Sequence, residues 1–272
     1  MEKRNNDWKE VPYIYNSFNF KWVTYSSAIN YSLLSSNIEQ SVNHFECNNE
    51  LTTNDYLFKN LTNYCQLNKL NVFDYTPLTF VLDLEDKSFN SEIEKFSTCF
   101  NLIKSELNHL DKEDPFHRQK LIEGINNKLS NFGISRDRRI ISHCKLKMYD
   151  THILDKNIWL LKPTGFNRGR GVVIFDSLEQ LRKLIKDYSE GMEEDYSNKS
   201  KNDSIEFISK FWEIAFGIEE EKPCSSVEII KSKTFVVQKY VEQPLLIHNR
   251  KFDIRILVLL TQEMKVYVFK EG

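Results

Sequence analysis

The segment Ile158–Phe175, IWLLKPTGFNRGRGVVIF, constrains this chain more than any other stretch. An apolar run ends in Lys162-Pro163, crosses a loop holding Arg168, Gly169, Arg170 and Gly171, and re-enters an apolar run at Val172–Phe175. The pattern is strand, loop, strand. Backbone N–H groups approach an anion closely only where side chains are absent, and glycine provides that. Lys162 at the loop mouth and the two arginines add positive charge where the anion would sit. A phosphate-binding loop therefore fits the segment. On this segment alone an ordinary hairpin turn fits it as well.

A second block, Phe235–Leu260, reads FVVQKYVEQPLLIHNRKFDIRILVLL. The strand Phe235–Val237 runs into Gln238, Lys239, Tyr240 and Val241, and a short loop ends at Asn249. A strand from Arg250 would place Lys251, Asp253 and Arg255 on one face, with Phe252, Ile254, Ile256 and Val258 on the other. Leu257 and Leu259 continue the charged face, so that face turns apolar further along. This reads as the lining of a cleft rather than a solvated surface.

Taken in order, WLLKP, NRGRGV, VVQKYVEQPLL and RKFDIR resemble the tubulin–tyrosine ligase-like family of amino-acid ligases, which have an ATP-grasp fold. Upstream, Val42-Asn43-His44-Phe45, Glu50-Leu51-Thr52, Leu57–Leu61 and Pro77–Phe80 are similar to the family's N-terminal pattern. The resemblance implies an α/β (α+β) fold of ATP-grasp type, with mixed sheets and flanking helices. It implies ATP and Mg²⁺ as cofactors. Tubulin or microtubules and a free amino acid are the implied partners, in a cytoplasmic, cytoskeletal setting that includes the cilium and basal body. Carried over residue by residue, Lys162 looks like the phosphate-binding lysine. Arg168 and the Gly169–Gly171 turn look like the loop over the phosphates. Gln238, Lys239, Tyr240 and Val241 look like the adenine segment, acting partly through backbone. Lys251 and Asp253 look like nucleotide contacts, and Arg255 looks like the catalytic residue that steers the acidic substrate or acyl phosphate. Lys162, Lys239 and Lys251 are then expected to converge on one nucleotide.

Composition sets the outer limits. A chain of 272 residues with 40% hydrophobic and 13% aromatic content can fill a large core. The net charge of −2 gives no general drive toward nucleic acid or an anionic membrane, and neither is expected as a partner. Five cysteines without a CxxC pair read as reduced thiols rather than a zinc site or redox dithiol. The N-terminus has no apolar signal-like core, and no run approaches a membrane span. No GxGxxG or GxxxxGK[ST] pattern occurs, so Rossmann and P-loop readings lack their fingerprints.

Periodicity fills in the rest. A strand is expected at Phe18–Thr24, a helix within Ser26–Ser41, and a helix over about 55–68 capped from Thr52–Asp55. Short strands are expected at Leu70–Phe73 and Leu78–Leu84. Ile93, Phe96, Cys99, Phe100, Ile103 and Leu107 mark one face of a helix that starts near Ser91, and a second helix covers His117–Leu129. Arg136–Arg139 with Lys145 and Lys147 form a basic patch or a solvated loop. Asp176 or Ser177 caps a further helix. Ser189–Asp203 reads as a disordered insertion, followed by a helix with Ile205, Ile208, Phe211, Trp212 and Phe216 on one face. The expected domains are 1–85, an N-terminal α/β domain; 86–241, a central ATP-grasp subdomain with an insertion at about 189–226; and 242–272, the start of a C-terminal ATP-grasp subdomain.

Two departures from the family pattern bear on function. Thr53-Asn54-Asp55 stands where the family has Arg-Lys-Asp, so a nucleotide-binding lysine is replaced by Asn54. The family's magnesium-binding acidic residues and its Glu–Asn pair are expected beyond Gly272, so no metal ligand is expected within this sequence. Three readings follow: an ATP-dependent ligase adding glutamate, glycine or tyrosine to a tubulin-tail carboxylate; a catalytically inactive tubulin- or microtubule-binding pseudo-enzyme; or an ATP-grasp ligase acting on another protein.

Overall fold

The computed structural model describes residues 8–12, 17–34, 39–109, 116–130, 145–166, 169–194 and 228–270. In chain order the elements are β1 (Phe20–Lys21), β2 (Ser41–Val42), α1 (Asn49–Thr52), α2 (Asn54–Leu67), β3 (Thr79–Asp83), α3 (Phe89–Asn108) and α4 (His117–Leu129). They continue with β4 (Trp159–Pro163), β5 (Val173–Phe175), α5 (Leu178–Glu190), β6 (Met192–Glu194), β7 (Glu228–Ile230), β8 (Thr234–Lys239), β9 (Leu246–Ile247), β10 (Arg250–Lys251), β11 (Val258–Leu260) and β12 (Val266–Val268). The chain divides into two compact units, one of residues 53–245 and one joining residues 1–52 to 246–272. Arg168, the Arg136–Arg139 patch, residues 195–203 of the expected insertion and the helix expected from Ile205 lie outside the described residues.

The larger unit is built on an antiparallel sheet of order β3-β8-β4-β5. Alternation sorts its residues onto two faces. Trp159 and Leu161 of β4 pair with Lys239 and Val237 of β8, and Phe80 and Leu82 of β3 pair with Val237 and Phe235. These residues form the core face and are buried. Helix α3 supplies Phe96, Cys99, Phe100 and Ile103 to the same core, as its 3.6-residue period requires. Phe96 stands at right angles to Trp159, with centroids 5.0 Å apart, and contacts Phe80 and Phe175 at 5.5 and 6.1 Å. Edge-to-face contacts of this kind add to the burial energy of the rings. The indole N–H of Trp159 donates to Asn157 Oδ1 at 2.7 Å, and Asn157 Nδ2 donates to the Phe100 carbonyl at 3.0 Å. A buried indole thus keeps its polar group satisfied.

In the smaller unit β1 and β2 pair in parallel. Asn43 grips the main chain of Val23 from both sides: Val23 N–H donates to Oδ1 at 3.0 Å, and Nδ2 donates to the Val23 carbonyl at 2.7 Å. The hairpin β9–β10 turns through His248 and Asn249, both with positive φ (49° and 60°). That is the geometry of a two-residue turn whose twist matches its strands.

Several expectations change. Ser26–Ser41 holds no α-helix among its described residues, only 3₁₀ turns at Ser26–Ala28 and Tyr31–Leu33. There the Ser32 hydroxyl donates to Asn30 Oδ1 at 2.7 Å, the local polar competition that disfavours a helix. The expected strand at Leu70–Phe73 is a 3₁₀ turn at Val72–Asp74, because the Asn71 side chain accepts from the Phe73 N–H at 3.3 Å. The strand expected from Arg250 to Leu260 exists only at its ends, as β10 and β11. Ile254 and Ile256 are exposed rather than on a buried face.

Candidate functional site

The face of the sheet opposite the core carries Lys162, Gln238, Thr79, Val236 and Leu160. Strand pairing aligns Lys162 with Val236, and Gln238 with both Leu160 and Thr79. Here the structure brings together two of the sequence-marked site residues and Thr79, which the Pro77–Phe80 motif contains without a site role. Lys162 Nζ donates to Gln238 Oε1 at 2.7 Å, Gln238 Nε2 donates to Thr79 Oγ1 at 2.9 Å, and the Thr79 hydroxyl donates to the Pro77 carbonyl at 2.8 Å. Burial pushes the Lys162 ammonium below the ordinary lysine value. Among the described residues no carboxylate lies within ion-pair distance of it. A desolvated cation supported only by a neutral amide favours an anionic ligand.

The loop after β4 supplies bare backbone. Gly169 and Gly171 both have positive φ (72° and 67°). A Cβ on Gly169 would meet nothing within 4 Å, so this glycine borders open space. Gly171 differs: a Cβ there would come within 2.8 Å of Pro163 Cγ, and its carbonyl accepts the buried Tyr188 hydroxyl at 2.7 Å. One glycine keeps the loop open and the other packs it down. The Arg170 guanidinium lies over the Phe166 ring, 5.7 Å from its centroid.

Lys239 is placed differently from Lys162. Its side chain is on the core face, and the residue is 1% exposed. The ammonium donates to the Ile158 carbonyl at 2.9 Å and to Glu242 Oε1 at 2.7 Å, and lies 5.9 Å from the centre of the Trp159 ring. Burial pushes this ammonium down, and Glu242 pulls it back up. The sheet thus separates the two ammonium groups, because positions 236 and 239 have opposite parity and Lys162 pairs with Val236. What the Lys239–Val241 stretch offers beyond the strand end is main chain. Tyr240 N–H donates to the Ile158 carbonyl at 3.1 Å, while the N–H of Val241 has no acceptor among the described residues.

Sequence reasoning missed Glu242. Its carboxylate is 5% exposed. Besides Lys239 it accepts the main-chain N–H groups of Leu154 (2.8 Å), Lys156 (3.4 Å) and Ile158 (3.2 Å). Lys251, Asp253 and Arg255 belong to the other unit, where Lys251 ends β10 and all three residues are exposed. Among the described residues no group of three His, Cys, Asp or Glu side chains could hold a metal ion, so no step is assigned to Mg²⁺ here. No helix among them is long and apolar enough to cross a membrane.

The antiparallel sheet with its flanking helices is a mixed α/β framework of the kind that ATP-grasp-like proteins have. The sequence pattern of the tubulin-tyrosine ligase family matches residues 32–272, and the chain belongs to that family. Among its relatives, a probable tubulin–tyrosine ligase of Schizosaccharomyces pombe is 31% identical over 120 residues, 44% of this chain and 27% of that protein. The tubulin monoglycylase TTLL3 of Homo sapiens is 30% identical over 107 residues, 39% of this chain and 9% of its own length. The tubulin glycylase 3A of Drosophila melanogaster is 23% identical over 209 residues, 69% of this chain and 16% of that protein. The chain therefore aligns with less than a third of the length of each of these relatives.

Proposed function

We propose that this chain supplies the nucleotide-binding part of an ATP-dependent ligase that joins an amino acid to a carboxylate on a tubulin tail. The observation that carries the reading is Lys162, desolvated, without a carboxylate partner among the described residues, and fixed by Gln238 on the sheet face opposite the aromatic core. In this reading Lys162 and the Gly169–Gly171 turn hold the phosphates of ATP, with Arg168 and Arg170 adding charge. Gln238, Tyr240 and the main chain of Lys239–Val241 meet the adenine. For Lys251, Asp253 and Arg255 the resemblance to the family supports nucleotide-contacting and acidic-substrate roles. The substrate carboxylate attacks the γ-phosphorus and ADP leaves, giving an acyl phosphate. The amine of the incoming amino acid then attacks the acyl carbon and inorganic phosphate leaves. An amide bond forms, and the amine gives up its proton to solvent. Catalysis of this type is mainly positioning and charge neutralisation. The names of the relatives support tubulin as the acceptor and a cytoskeletal setting, and the cilium is one such setting.

The test is transfer of a radiolabelled amino acid to tubulin in the presence of ATP, run in parallel with glycine, glutamate and tyrosine. Label should enter tubulin with the full-length protein and not with its Lys162→Met form. No incorporation by the full-length protein with any of the three would overturn the reading. Asn54, which opens α2 where the family pattern has a lysine, favours a second reading: a microtubule-binding protein without ligase activity. Microtubule co-sedimentation without label transfer is the result it requires.

A further inference from the structure

Glu242 and Arg118 are not used by the reading above, yet both act on the stretch that it assigns to adenine. Glu242 accepts four hydrogen bonds, one from Lys239 and three from main-chain groups between Leu154 and Ile158. The next residue is held just as firmly. Gln243 N–H donates to the Thr151 carbonyl at 3.0 Å, and the Arg118 guanidinium of α4 donates both to Gln243 Oε1 and to the Asp150 carbonyl, the latter at 2.8 Å. On the other side, Tyr240 N–H is tied to the Ile158 carbonyl. Val241 is thus clamped on both flanks while its own N–H stays without an acceptor among the described residues. A carboxylate taken out of water and spent on three loop amides and one ammonium costs desolvation energy. That cost is offset where the held geometry matters, and the group held in place here is a main-chain hydrogen-bonding edge.

We infer that Glu242 is a positioning residue for base recognition. It fixes the Tyr240–Gln243 backbone against the 150–158 loop, so that Val241 presents a rigid donor edge to the heterocycle of a nucleotide. Arg118 assists from α4 through Gln243. The inference rests on the nucleotide reading of the Lys162 face and adds to it a division of labour. Lys162 and the glycine turn contribute affinity for phosphates, and Glu242 contributes discrimination for the base without touching it.

The test compares two probes on the full chain by calorimetry, ATP and inorganic tripolyphosphate, which has the phosphates without the base. The native chain is expected to bind ATP more tightly. Glu242→Gln keeps the shape and one acceptor oxygen but removes the charge that holds Lys239 and the loop amides. It is expected to weaken ATP binding about tenfold while leaving tripolyphosphate within about twofold, the scale of a lost charge-assisted hydrogen bond. A role in stability alone would lower both affinities together, and that result overturns the inference. Equal binding of both probes by the native chain also overturns it, while leaving the phosphate reading in place. A native chain that binds neither probe overturns both. Should Glu242→Gln fail to fold, Arg118→Met carries the same comparison. It should shift the ratio in the same direction by a smaller factor, and an unchanged ratio counts against the clamp.

Discussion

At the scale of single residues, the clearest consequence concerns Lys162. A buried ammonium without a counter-charge is a cost in the free protein and an asset only with an anion bound. Lys162→Met should therefore raise the melting temperature of the free chain, by roughly 1 kcal/mol in stability, while removing nucleotide binding. Thermal scans with and without ATP check both halves. His152 gives a pH prediction. It is 7% exposed, and burial first, then the nearby Lys239, holds its imidazole below the ordinary value, with Asp150 opposing. Below pH about 6.5 the unfolded chain takes up a proton that the folded chain resists. The stability contributed by the neutral ring is thus present above that pH and lost as pH falls through it. Melting temperature should drop on acidification from about pH 7.5 to 5.5, and His152→Gln should flatten that slope. The string from Lys162 through Gln238 and Thr79 to Pro77 also has a direction. A lysine can only donate, so the glutamine must turn its oxygen toward it and its N–H₂ toward Thr79. Thr79→Val removes the acceptor that holds this orientation. ATP affinity should fall in a binding titration, although Gln238 stands between the substituted position and the lysine.

At the scale of elements, the two loop glycines predict unlike outcomes. Gly169→Ala introduces a side chain at positive φ into open space and should cost about 1 kcal/mol. Gly171→Ala adds a clash with Pro163 to the same backbone strain and should cost more than about 2 kcal/mol. Urea titrations of the two variants separate these cases. Much of this level was legible beforehand. WLLKP and FVVQK alternate and read as strands, and the Phe96-Cys99-Phe100-Ile103 stripe reads as the buried face of a helix. The side-chain parity between β4 and β8 was not legible. That Lys162 and Lys239 emerge on opposite faces follows from register, which only pairing fixes. Glu242 was hidden for a related reason. Its acceptor role depends on loop amides 84 to 88 residues upstream, and nothing in a local pattern marks such a partner.

At the scale of the whole molecule, the segment 246–269 differs from the rest of the chain. Leu246, Ile254, Leu259, Met264, Val266 and Phe269 are all exposed, up to 75% for Met264. Apolar surface of this kind promotes association. Light scattering of the 272-residue chain should show concentration-dependent assembly, and Ile254→Lys with Val266→Lys should reduce it. The alternation in this segment had suggested a long strand, but among the described residues no strand pairs with 252–257, so a pattern suited to a ladder has none to join. The strand order has a further effect, on the timing of synthesis. β3 and β4 are not hydrogen-bonded to each other; both pair with β8, which comes last in sequence among the strands of this sheet. The sheet therefore has no centre until Lys239 has left the ribosome. β3 must wait for about 150 residues to follow it, roughly 8–30 s at ordinary elongation rates, with its aromatic face uncovered by the sheet. A nascent chain halted before β8 should be a strong client for chaperones that bind extended apolar segments, and one released after it should not.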